Sequence, residues 1–466
     1  MRAARIAVAL LVTGSAACSS GSQPASAPPT TSSSPTTPTS PTATDTPTSS
    51  DAPVDEVASW PTYHGSADRA GAVAVALRPP LRVAWRVPVD AALYAQPISA
   101  AGLAFAATEN NTVLAVDVVS GRVKWRRHLD AAARRATLPC GNIDPSGITG
   151  TPAYDAATHQ LFVVTENADA RHTLVALDSR TGKVRWRRNV DVAAGRDPHA
   201  EQERGALLVA SGHVYVPFGG RYGDCGNYVG YVAAVALDGT GPTLRYEVPT
   251  AREAGIWAAP GPVIGPGGDL YVASGNGAET GGHYDGSDSV IRLTPSLRRV
   301  AVWAPSTWPQ DNADDLDLGS MSPVPLPQGI LIAGKRGVVY LLRADLRSEV
   351  AHLSGCASYG GAAASAAATV SVVVLPCNDG LRAVRVQGQH LSRLWHNGSM
   401  LGSPAIAGDA VYGFDGSDLV EASLTNGHVH ARVHVGDVTR FATPAPVGPL
   451  VLVGTTSELV AVRGGP

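Results

Sequence analysis

A twelve-residue unit recurs in this chain and fixes most of what it can become. Residues 114–125 read Leu-Ala-Val-Asp-Val-Val-Ser-Gly-Arg-Val-Lys-Trp, and residues 175–186 read Val-Ala-Leu-Asp-Ser-Arg-Thr-Gly-Lys-Val-Arg-Trp. Each copy places Gly121 or Gly182 four residues after Asp117 or Asp178, and Trp125 or Trp186 four residues further on. Apolar alternation predicts a half-buried strand. The Asp-x-x-x-Gly step predicts a tight turn, because Gly accepts positive φ and Asp caps through its side chain. The Trp then falls on the returning strand, where a large ring can cover the gap to a neighbouring sheet. Hairpins repeated every few tens of residues predict a propeller or a solenoid. With 50 Gly, 35 Pro and 16% charged residues, short strands and many turns are favoured over helices.

The repeat counts to eight. Units begin at Gln96-Pro97, Thr151-Pro152, Ala259-Pro260, Ser322-Pro323, Ser403-Pro404 and Thr443-Pro444, with two more around residues 213–237 and 370–395. The last unit stops at Val462, one strand short. A spare strand, residues 81–88, stands near the start with Trp85 in the repeat's Trp position. Joining the two closes a ring and removes two open sheet edges, which would otherwise invite aggregation. The expected fold is therefore all-β: an eight-bladed propeller of four-stranded blades over residues 58–466, closed by the N-terminal strand. Seven blades is the alternative, since units three and five are degenerate. A solenoid would need caps and would leave the spare strand unused.

The N-terminus reads as an export leader over residues 1–17, with Arg2 and Arg5 before an apolar core and small residues at its end. Ser15-Ala16-Ala17-Cys18 resembles the bacterial lipoprotein signal, with Ser15 where Leu is usual. That resemblance implies lipidation of Cys18 and anchoring at the outer face of the cell membrane. Residues 18–57 then form a Ser/Thr/Pro-rich stalk, which cannot bury enough apolar surface to order itself. Four cysteines remain. In an exported protein an even number predicts disulfides: Cys356–Cys377 as the local pair, leaving Cys140–Cys225. A net charge of −3 excludes a dominant nucleic-acid role, which needs a basic face. The 13 His show no paired zinc spacing, no phosphate loop or nucleophile elbow is present, and no metal site is expected. Glu109 and Glu166 recur at equivalent places in units one and two, which favours a structural role for both.

The unit as a whole resembles the pyrroloquinoline-quinone (PQQ)-like repeat. This repeat builds the propellers of quinoprotein alcohol dehydrogenases and also a non-enzymatic lipoprotein of the outer-membrane assembly machinery. The resemblance implies where a quinone site would lie. Gly255-Ile256-Trp257 is similar to the segment whose Trp forms the cofactor floor. Asn276, in Ser274-Gly275-Asn276-Gly277, is similar to the Asn that binds calcium. Asp315, with Asp317 beside it, falls at the catalytic Asp, and Lys335 at the cation that contacts the quinone oxygens. The chemistry needs an aromatic plane, oxygen ligands for a hard cation, a carboxylate base and a cation near a developing oxyanion.

Two positions depart from the family. A single Cys140 replaces the pair of adjacent cysteines, and Cys225 stands at about the place of the calcium-binding Glu. Together they predict a Cys140–Cys225 bridge between top-face loops, and a pocket that has given up the quinone. The expected function is accordingly a binding or scaffolding module at the cell envelope, with an envelope protein as partner and no assigned cofactor. The alternative is a PQQ- and calcium-dependent oxidoreductase acting on an alcohol or sugar. A hydrolase or lyase on wall sugars is weaker, because no paired-carboxylate motif singles it out.

Overall fold

The computed structural model describes residues 59–465. The expected leader, Cys18, the stalk and the boundary at 58 lie outside the described residues. Eight sheets form, antiparallel except where Ala72–Val73 adds a parallel strand to the seventh, so the count is eight and not seven. The first blade shows the pattern: Ile98–Ala100, Leu103–Ala107, Thr112–Asp117 and Val123–His128 pair in sequence order. The middle strands are apolar and buried on both faces, as in Gln160–Glu166 of the second blade. The outer strands, such as Val123–His128, alternate apolar with charged residues and are largely exposed. In the eighth sheet, Ala445–Val447, Leu450–Gly454 and Glu458–Arg463 are completed by Arg82–Pro88, which pairs antiparallel with Glu458–Arg463.

The recurring Trp acts between blades. Trp85 Nε1 donates to the Val118 carbonyl at 3.1 Å, Trp125 Nε1 to Ser179 at 2.9 Å, Trp186 Nε1 to Leu237 at 3.1 Å and Trp395 Nε1 to Leu424 at 2.8 Å. Each ring lies flat against the turn glycine of the following blade. A Cβ on Gly182 would stand 2.6 Å from Trp125 Cε3, and one on Gly427 2.7 Å from Trp395 Cε3. The glycine thus does two jobs, since its φ is also positive, +66° at Gly182. In blade five the repeat's Trp is missing from Glu349–Ser354, and Trp303 of blade four packs instead on Tyr340, ring centroids 5.1 Å apart.

Residues 60–73 occupy the space that the innermost strands enclose. Trp60, Tyr63, His64 and Arg69 are all buried there. The backbone bonds Trp60 N to Ser99 O at 2.7 Å, Tyr154 N to Pro61 O at 2.8 Å, Ile264 N to Ala67 O at 2.9 Å, Ala364 N to Ala70 O at 2.7 Å and Ile406 N to Gly71 O at 2.8 Å. Arg69 donates to Leu207 O at 2.9 Å, and Tyr63 shares a hydrogen bond with Thr443 at 3.1 Å. A segment that reads as a short lead-in is therefore held by most blades at once. Among the described residues helix is confined to short pieces, of which the one α-helical turn is Trp308–Ala313 with Pro309 in its first turn.

Substituting Gly182→Ala forces the Trp125 ring aside as well as straining the turn. We expect it to lower stability by about 2 kcal/mol or more. The control Gly212→Ala, at φ +75° with nothing within 4 Å, carries the backbone strain alone, about 1 kcal/mol. Thermal unfolding of the two variants measures the difference.

Candidate functional site

In an antiparallel four-stranded blade, the turn between strands two and three and the crossover to the next blade emerge at the same end. Each residue singled out above lies on one of these. Trp257 is on the crossover between Leu244–Glu247 and Val263–Ile264, and Asn276 follows Leu270–Ser274. Asp315 and Asp317 lie between the helical turn and Val324–Leu326, and Lys335 follows Gly329–Ala333. The chain brings all of them to a cavity of about 360 Å³.

Trp257 forms its aromatic wall, with Arg204 and Lys335 standing 5.7 and 5.8 Å from the ring centroid. Lys335 Nζ lies 2.6 Å from Asp315 Oδ1 and 2.5 Å from Asp317 Oδ2. The two carboxylates are not equivalent. The Asp315 side chain is 63% exposed at the rim and that of Asp317 only 4%, which makes Asp317 the acid within the wall. Asp317 Oδ1 also accepts the Asn276 backbone N–H at 2.6 Å. Burial pushes its carboxyl up, and Lys335 and the Asn276 N–H oppose the shift. For Lys335, burial alone would lower the ammonium, but Asp317 and Asp315 raise it, so it stays charged. Gly275 makes this approach possible: a Cβ there would stand 2.1 Å from Asp317 Oδ1.

Several lining residues carry no repeat signal and are supplied by the fold. Tyr94, Arg204, Tyr359, Arg440 and Phe441 all come from blade-to-blade crossovers. Arg440 lies 5.1 Å from the Tyr359 ring centroid and 5.8 Å from that of Phe441. Arg221 is buried and ion-paired with Glu166, which also accepts from Ser146 Oγ at 2.7 Å. Glu109 likewise accepts from Gly147 N at 2.8 Å and Thr149 Oγ1 at 3.0 Å. Both glutamates thus tie one blade to the next, in keeping with a structural role. Asp311, in the helical turn, is bonded to Thr307 at 2.7 Å and ion-paired with Arg336.

Both disulfides form, Cys140–Cys225 and Cys356–Cys377. The first flanks the cavity beside Asn142, Gly223 and Asp224. It staples two top-face loops as expected, yet the cavity against Trp257 remains open, so the bridge has not replaced the pocket. Among the described residues, no group of three or more His, Cys, Asp or Glu side chains is placed to hold a metal ion.

Fold and cavity together define an eight-bladed β-propeller with a charged, Trp-walled cavity at one end of its blades, and its repeat is similar to the PQQ-like one. Residues 66–280 match the family model described as outer membrane protein assembly factor BamB. The chain is 26% identical over 320 residues to a polyvinylalcohol dehydrogenase of Pseudomonas sp., covering 58% of this chain and 46% of that protein. It is 27% identical over 313 residues to quinohemoprotein alcohol dehydrogenase ADH IIB of Pseudomonas putida, covering 56% and 41%. It thus spans less than half the length of these curated relatives. The quinohemoprotein alcohol dehydrogenase of Comamonas testosteroni shares the fold, with a TM-score of 0.67 at 16% identity over 88% of this chain and 81% of that one. The expectation of a chemistry-free scaffold is corrected by these relatives, which are named as dehydrogenases. The two departures at Cys140 and Cys225 weighed too heavily in it, because the cavity does not depend on them for its floor, cations or acid.

The buried carboxyls behind the cavity make stability depend on pH. Burial raises Glu109 from 4.5 to about 8, and burial with Asp317 raises Asp288 from 3.8 to about 8. A carboxyl raised on folding contributes fully below its unfolded value and loses that contribution as pH climbs to the folded one. Unfolding temperature is therefore expected to fall between pH 5 and 9. Glu109→Gln should remove part of that slope, on the order of a few kcal/mol across the range, as read by calorimetry.

Proposed function

We propose that the chain is an exported, PQQ-dependent oxidoreductase that oxidises an alcohol, anchored through Cys18 at the outer face of the cell membrane. The observation that carries the reading is Trp257 beneath a cavity in which Lys335 and Asp317 meet. The residues fit a planar, tricarboxylated quinone. Trp257 offers a stacking face, and Arg204, Lys335 and Arg440 offer cations for carboxylate and quinone oxygens. They do not fit calcium. Asp317 and Asp315 are engaged by Lys335, Asp224 Oδ1 accepts from the Tyr228 hydroxyl at 2.5 Å, and a bidentate Glu is lacking.

When bound, PQQ would supply the two-electron oxidant that the reaction needs. The alcohol loses its O–H proton and a hydrogen with two electrons from carbon, giving a carbonyl. Asp317 is placed to take the proton: it is buried, its carboxyl is raised, and it is held by Asn276 and Lys335. Lys335 directs its charge to the oxygen that gains electron density. Asp315, at the rim, helps to hold the ammonium in place.

Titration of the chain with PQQ, followed by tryptophan fluorescence, tests this. Saturable binding is expected, weakened at least about tenfold in Trp257→Ala. Asp317→Asn should leave PQQ affinity within a few fold and lower kcat by about 10²–10⁴ with an artificial electron acceptor. Absence of binding would overturn the reading.

A further inference from the structure

The end of the ring opposite the cavity carries the turns between strands one and two and between strands three and four of each blade. On blades eight, one and two this end is basic, in a chain of net charge −3. Arg82, Arg122, Lys124, Arg180, Lys183 and Arg185 are all exposed there. The acids at this end of the three blades are Asp117, Asp155 and Asp178. Lys124 pairs with Asp117 at 3.1 Å, Arg185 with Asp178 at 2.6 Å, and Asp155 accepts from Thr158 Oγ1 at 2.6 Å. Among the described residues Arg82, Arg122, Arg180 and Lys183 make no ion pair. Large apolar side chains are exposed in the same place. Val119 is 65%, Val123 42% and Val184 39% exposed, and Val75, on the crossing from blade seven to Arg82, is 70% exposed. Across the ring, on blade five, Arg343 and Arg347 instead share Asp345.

We infer that this end docks on an anionic lipid surface, with the cations over phosphate headgroups and the valines at the edge of the acyl layer. Cations interleaved with exposed apolar side chains suit such a surface, where attraction to headgroup charge adds to burial of apolar area. A soluble polyanion would leave the valines in water. The course of the chain favours the same occupant. Trp60 bridges antiparallel to Ser99, and His64 N donates to Gln96 Oε1 at 2.9 Å on the crossover side. The chain therefore runs from Ser59 toward the cavity end, so the segment leading from Cys18 joins the ring at the basic end. The inference deepens the proposed anchoring and does not depend on the oxidoreductase chemistry. It turns the Trp257 cavity away from the bilayer, toward a substrate outside it.

Co-sedimentation of the full chain carrying Cys18→Ser, which can take no lipid, with phosphatidylcholine vesicles with and without about 30% phosphatidylglycerol tests this. Binding is expected only to the anionic vesicles, and it should fall as NaCl rises from about 0.1 to about 0.5 M. Arg122→Gln, Arg180→Gln and Lys183→Gln should each weaken it about fivefold, and the triple variant about a hundredfold. Val119→Ser should weaken it about fivefold. Arg347→Gln, on blade five, should stay within about twofold. The leader is common to all variants, so the differences report the patch, and the sites are exposed, so an unchanged unfolding temperature is expected. A triple variant that binds like its parent would overturn the inference, as would equal binding to soluble polyphosphate with no effect of Val119→Ser. Loss of the patch effect, with the native chain lipidated at Cys18 in its host, would leave the anchoring reading standing. Patch-dependent binding, in a chain whose Cys18 carries no lipid in its host, would uphold the patch and overturn the anchoring reading.

Discussion

The ring depends on one contact made between blades rather than within them. A sheet of four short strands cannot bury both faces alone, so each blade is stable only against its neighbours. At four of the eight seams the Trp on the outer strand supplies that dependence. Its ring covers the next blade's turn, its Nε1–H takes up a carbonyl the turn would leave free, and the glycine beneath it admits the ring. Residues 60–73 act on the same ring from inside, bonding to innermost strands of blades far apart in sequence. Glu109 and Glu166 add buried ties on the top face, each reaching the following blade's loops.

The parts of this that were legible in the sequence are those with a period. Asp178, Gly182 and Trp186 announce a strand, turn and strand because local geometry requires those types at those spacings. The closing role of the strand around Trp85 was readable for the same reason. Residues 60–73 have no period, and the value of Trp60 or Arg69 lies in partners such as Ser99 and Leu207, which no local pattern links to them. Trp308–Ala313 was missed for a related reason: a single helical turn with Pro309 in it leaves no 3.6-residue signature.

The site divides along the same line. Trp257, Asn276 and Lys335 were placed by the family resemblance, and the fold gathers them at one cavity. The resemblance put Asp315 rather than Asp317 at the catalytic place, and nothing in the sequence showed which of the two is buried. The two differ by two residues, yet one is 63% exposed and the other 4%, a difference created by Asn276 and Gly275 of a different loop. Arg204 and Arg440 were invisible because each is a lone cation on a crossover, placed over an aromatic ring only when the blades close.

The same closure explains why the loss of the paired cysteines and of the Glu does not dismantle the pocket. Its floor is Trp257, held by the crossover between blades three and four, and its charge is set by Lys335 against Asp317 between blades four and five. Neither requires the Cys140–Cys225 loops to adopt the family's geometry. Those loops form a wall, and a disulfide is one way to keep a wall rigid. A pocket whose floor and charge belong to the blades can therefore change its rim and stay open. The relatives' dehydrogenase names and the altered Cys positions are compatible for that reason.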